Sequence, residues 1–99
     1  MYRIVDDRAS GKTSRLMLIA KENNADFVCS NPHAMTTKAH AYGIVGINFI
    51  SYYDYLHSMR GEEEQRPVVI DELEMFLKYM VAYNGGKSEL IGYTLNTGD

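Results

Sequence analysis

Two short stretches hold the residue types that could do chemistry together. The first is Asp6-Asp7-Arg8-Ala9-Ser10-Gly11-Lys12-Thr13, which follows the apolar pair Ile4-Val5 and opens a segment of helical composition. A strand, a tight loop and a helix whose first amide groups face outward form an anion site, because those amides lack partners within the helix. A lysine at the end of such a loop reaches the β- and γ-phosphates of a nucleotide, and the hydroxyl after it ligates Mg²⁺. Lys12 and Thr13 stand at those positions, with Arg8, Ala9, Ser10, Gly11 and Ser14 completing the candidate nucleotide-binding set. The full pattern, Gly-x-x-x-x-Gly-Lys-[Ser/Thr], has glycine where this chain has Asp6, and Ala9 stands at a second commonly glycine position. Aspartate visits left-handed backbone more readily than most residues, but it brings negative charge toward a polyphosphate.

The second stretch is Val68-Val69-Ile70-Asp71-Glu72, an apolar strand ending in two acids. Asp71 could hold Mg²⁺, directly or through water, and Glu72 could act as the base that polarises an attacking water. The ordinary alternative is a helix N-terminus, where acids complement the dipole. Its coupling to Gly11-Lys12-Thr13 favours the chemical reading.

The elements that must position these residues alternate along the chain. Tyr2–Val5 reads as a strand, residues 13–23 as a helix ended by Asn23-Asn24, and 26–30 as a strand bounded by turn residues. Asn31-Pro32 is a helix start, with the cap before a proline at the first helical position, and the helix runs toward Tyr42 and stops at Gly43. Ile47–Ile50 is a third strand, and Ser51 with Asp54 forms a capping box for a helix closed by Gly61. The continuous apolar character of 67–70 suits a central strand covered on both faces. Leu73, Phe76, Leu77, Met80 and Val81 give the strongest helical period, ended by Asn84-Gly85-Gly86, and Leu90–Leu95 reads as a last strand. The expectation is an α/β domain over 1–99: a three-layer αβα sandwich with a five-stranded, mostly parallel sheet. In such sheets ligands bind beyond the carboxyl ends of the strands, where Lys12, Asp71 and Thr94 would meet.

The order Gly-Lys-Thr, then Val-Val-Ile-Asp-Glu, then Gly-Tyr-Thr-Leu-Asn-Thr resembles the core of the additional-strand, catalytic-glutamate P-loop NTPases, a group including helicases, RecA-like ATPases and phage terminase motors. The resemblance spans Arg3 to Thr97. It implies an ATPase in which Gly11-Lys12-Thr13 ends the Walker A loop, Asp71 and Glu72 are the Walker B pair, and Thr94 or Asn96 senses the γ-phosphate. It also implies a part in a phage or DNA-processing assembly, with a protein partner or a second copy supplying a positive charge in trans. Val28–Pro32 and Ile50–Tyr52 occupy the places of two helicase-like motifs. This chain is much shorter than the motors, and compact P-loop proteins of phage genomes look more similar in size. The alternative is a non-catalytic, nucleotide-responsive adaptor with a degenerate loop. A small nucleotide kinase fits less well, since no basic lid region is present in this length.

Composition narrows the partners. A net charge of −3 with scattered Lys and Arg disfavours strong unaided nucleic-acid binding, which calls for a basic face. No apolar run approaches the roughly 20 residues of a membrane span, and Arg3 and Asp6-Asp7 break up any signal-peptide pattern. One cysteine, Cys29, suits a reducing, cytoplasmic setting and reads as a buried strand residue rather than a nucleophile. His33, His40 and His57 read as surface or cap residues, and Tyr52, Tyr53 and Tyr55 as helix packing rather than base stacking. Glu62-Glu63-Glu64, flanked by Arg60 and Arg66, reads as a solvated loop, with either arginine a candidate finger for a neighbouring subunit.

Overall fold

The computed structural model describes residues 4, 11–57, 66–83 and 88–94. The element order is α1 (Lys12–Asn23), β1 (Asp26–Cys29), α2 (Pro32–Ala41), β2 (Phe49–Ser51), α3 (Tyr52–His57), β3 (Val68–Ile70) and α4 (Leu73–Tyr83). The three strands form one parallel sheet in the order β2-β1-β3. Phe27 pairs with Phe49 and Val69, and Val28 with Ile50 and Ile70, so the carboxyl ends of all three strands meet one edge.

The expected five-stranded sheet is therefore corrected to a three-stranded one among the described residues. The stretch 90–94 carries strand-forming residues but pairs with no strand: Ile91 is 92% exposed, and Gly92 beside it offers no side chain to bury. Its anchor is a side-chain bond instead, from the Tyr93 hydroxyl to Glu74 Oε1 at 3.1 Å. The expected strand Tyr2–Val5 lies outside the described residues except for Ile4, which is in no strand. Asp6, Gly61, Glu62-Glu63-Glu64, Asn84-Gly85-Gly86 and Leu95 also lie outside them.

The central strand differs from expectation too. β1, not β3, stands in the middle with every residue buried, while β3 is half-buried. Alternate residues of β1 face opposite layers. Phe27 and Cys29 pack with Met17 and Ala20 of α1 and Ala39 of α2, while Val28 packs with Tyr52 of α3 and Phe76 of α4. Helices thus cover both faces, and each large apolar side chain fully buried in this way contributes about 1.5–3 kcal/mol. Asp26, at the amino end of β1, is 1% exposed. It accepts a bond from Asn48 Nδ2 at 3.0 Å, and Arg66 Nη1 lies 3.5 Å away.

The local signals for helix starts hold. Asn31 Oδ1 accepts from the Ala34 amide with Pro32 following it, and Ser51 Oγ accepts from the Asp54 amide at 2.9 Å. Cys29 is buried, as expected, and desolvation pushes its thiol up to about 11, which keeps it protonated and unreactive.

Candidate functional site

The site is assembled where α1 begins and β3 ends. Gly11 precedes α1 with φ 77° and ψ 19°, a left-handed bend that a side chain would strain although a Cβ there would meet only Ser14 Oγ, at 3.7 Å. The first helical bond runs from the Arg15 amide to Gly11 O at 3.1 Å, so the amides of Lys12, Thr13 and Ser14 precede the helical ladder. Among the described residues no side chain caps them, and no acid stands in the first turn. The positive end of the α1 dipole is left uncompensated by its own helix, an arrangement that attracts an anion.

Two hydroxyls follow, and they are used differently. Ser14 Oγ donates back to Gly11 O at 2.9 Å, which commits it to the helix turn. The Thr13 hydroxyl instead reaches the Asp71 carboxylate across the gap between α1 and the end of β3. Of the expected nucleotide-binding residues, Gly11, Lys12, Thr13 and Ser14 stand together here. Arg8, Ala9 and Ser10 lie outside the described residues.

Asp71 is the electrostatic centre of the site. Its amide donates to Val28 O at 2.9 Å, the last tie of β3 to β1, and the residue is 7% exposed. Burial raises its carboxyl above the ordinary range, and the charge of Glu72 raises it further. Lys38, Lys12 and the Thr13 hydroxyl oppose the rise, so two ammonium groups and one hydroxyl act on this carboxylate.

Glu72 follows with φ 59°, an uncommon backbone state for a residue with a side chain. Its carbonyl accepts from the Phe76 amide at 3.1 Å, which starts α4, and the residue is exposed to solvent. The Tyr52 hydroxyl donates to Asp71 O at 2.8 Å and reaches Glu72 O at 3.3 Å.

Of the two candidate sensors, Thr94 stands apart from these contacts. Thr94 is exposed, in no strand, and makes no hydrogen bond to Lys12, Thr13, Asp71 or Glu72 among the described residues. Asn96 lies outside the described residues, as does Arg60. Arg66 is committed to Asp26 at the amino edge of the sheet, opposite to Asp71.

Sequence reasoning missed Lys38. It sits in the last turn of α2 and belongs to no motif; only the parallel topology brings its charge to Asp71. It also missed the reach of Tyr52. As the first residue after β2, Tyr52 was legible as lying at the carboxyl edge, but not as bonded to the end of β3.

A groove of about 420 Å³ lies beside the site, lined by Ser30, Tyr53, Met75 and Tyr79 among others, with Tyr52 shared between the two. Two of its polar groups are engaged elsewhere: Ser51 caps α3, and Lys78 pairs with Glu74 at 3.2 Å. The polar groups that act on one another lie at Lys12, Thr13 and Asp71.

The oxygen donors at this place suit magnesium, which needs only one or two protein carboxylates besides water and substrate phosphates. No group of three or more His, Cys, Asp or Glu that could hold a metal is present among the described residues. No described helix is long and apolar enough to cross a membrane. Comparison with protein-family models, with curated proteins and with solved structures returned no match.

Proposed function

We propose that this chain binds a nucleoside triphosphate, ATP in the first instance, and hydrolyses it slowly with Mg²⁺ as part of a larger, DNA-processing or phage-type assembly. The observation that supports this most is the meeting of Thr13 with Asp71 beside Lys12, at an α1 N-terminus where no side-chain cap and no first-turn acid stands among the described residues. A hydroxyl and a carboxylate from distant parts of the chain, joined at the carboxyl edge of a parallel sheet, suit a phosphate-bound magnesium ion.

In this reading the Gly11 bend presents the first α1 amides to the phosphates, and the Lys12 ammonium holds their charge. Thr13 and Asp71 would hold Mg²⁺, which supplies neutralisation of charge on the phosphate oxygens when bound. Glu72, exposed at the turn, orients a water and accepts its proton as the water oxygen bonds to the γ-phosphorus and ADP departs. Lys38 adds a second positive charge near Asp71, which lessens repulsion between this carboxylate and the nucleotide.

A non-catalytic, nucleotide-responsive adaptor is favoured by one observation. Arg66, the described arginine outside α1, is held by Asp26 at the far edge and so does not complete the charge around the phosphates. Phosphate release measured on the wild type and on Glu72→Gln decides between the two. Hydrolysis requires release in the wild type and its loss in Glu72→Gln with nucleotide binding kept. Binding without release in either protein selects the adaptor.

A further inference from the structure

The turn that carries Asp71 and Glu72 is fixed from three sides. β1 holds it through the Asp71 amide, which donates to Val28 O at 2.9 Å. α4 holds it through the Phe76 amide, which donates to Glu72 O at 3.1 Å. The third hold comes from α3, where the Tyr52 hydroxyl donates to Asp71 O at 2.8 Å and lies 3.3 Å from Glu72 O. These two carbonyls bracket Glu72, whose φ of 59° is a state that persists only where its surroundings impose it.

We propose that Tyr52 is a positioning residue for hydrolysis: its buried hydroxyl holds the carbonyls on either side of Glu72, and thereby fixes the left-handed turn that aims the Glu72 carboxylate. The claim rests on the reading of Glu72 as the base. Two features separate this role from packing. The ring alone satisfies the core, edge-on to Phe76 at 5.2 Å and tilted against Tyr79 at 5.9 Å. The hydroxyl adds nothing to those contacts; its partners are the backbone of the turn. Burial and the neighbouring Asp71 charge push this phenol up to about 12, so it remains a donor throughout the neutral range. Tyr52 follows β2 directly, so α3 and the β2 end become parts of the site without touching substrate.

The test is Tyr52→Phe, which keeps the ring and removes the donor. Three quantities are read: kcat and KM for Mg-ATP, the melting temperature, and the Glu72 backbone by NMR scalar couplings and carbon shifts. The expected result is a kcat lower by roughly ten- to hundredfold with KM little changed, as for a misplaced catalytic group. The protein stays folded and Glu72 leaves the left-handed region. A wild-type kcat, or a Glu72 that keeps its left-handed signature in the variant, overturns the proposal. If the wild type itself neither binds nor hydrolyses ATP, the functional reading has failed separately. The positioning claim is then decided by the Glu72 backbone alone.

Discussion

The Thr13 hydroxyl at the start of α1 reaches the Asp71 carboxylate at the end of β3. This contact lies at the carboxyl edge of the sheet beside a buried acid, whose burial makes its ionisation part of the protein's stability. Burial and Glu72 raise Asp71 in the folded state above the ordinary value of 3.8. The folded chain therefore holds this proton more tightly than the unfolded chain. As pH rises past the ordinary value the unfolded state ionises first, and Asp71 becomes a destabilising group, fully so above its raised folded value.

Asp71→Asn removes that penalty. The variant should gain stability over the wild type in metal-free buffer, with a gap that widens as pH rises above the ordinary value of 3.8. Added Mg²⁺ should narrow the gap by stabilising the wild type alone. Denaturant titrations at several pH values measure it, and a gap that stays flat or shrinks as pH rises contradicts this account of Asp71.

Glu72 carries a second cost of the same kind. A side chain at φ 59° is disfavoured by about 1 kcal/mol or more relative to glycine. Glu72→Gly should raise the stability of the apo protein by about 0.5–1 kcal/mol, several degrees in melting temperature for a domain of this size. The same variant should lose hydrolysis, since it has no carboxylate to accept the proton. A destabilised Glu72→Gly would show that the side chain makes a stabilising contact and that the turn is not strained.

Arg66 provides the opposite contrast. It is about half exposed and pairs with buried Asp26 at the amino edge, where Asn48 remains as a second partner. Arg66→Ala should cost about 1 kcal/mol of stability, since Asp26 loses only one of its partners. Nucleotide-dependent stabilisation, read by the same melting assay, should be unchanged. A variant of normal stability with altered nucleotide response would move Arg66 into the functional site.

Local chemistry was the most legible part of the chain. Asn31-Pro32 and Ser51 with Asp54 fix helix starts through bonds within four residues, and such signals need no tertiary context. The sheet was read less well. Val68-Val69-Ile70 is wholly apolar, yet the fully buried central strand is Asp26–Cys29, because a carboxylate can be buried when an amide and a guanidinium meet it. Leu90–Tyr93 has strand-forming side chains but no described strand beside it, and pairing is a property of the partner as much as of the segment. Within the candidate site, Lys12, Thr13 and Asp71 were readable from spacing. Lys38 and the Tyr52 hydroxyl were not, since each reaches the site only through the order of the strands.

The central claim, that Lys12, Thr13 and Asp71 form a nucleotide site, is tested most directly by thermal melting with and without millimolar Mg-ATP, on the wild type and on Lys12→Ala. A site filled at about a hundredfold excess over Kd adds roughly 2.7 kcal/mol, which is a rise of many degrees for a chain this small. The account predicts a concentration-dependent rise in the wild type that vanishes in Lys12→Ala while the variant's own melting temperature in the absence of nucleotide stays close to that of the wild type. No rise in the wild type, or an equal rise in both proteins, would contradict it.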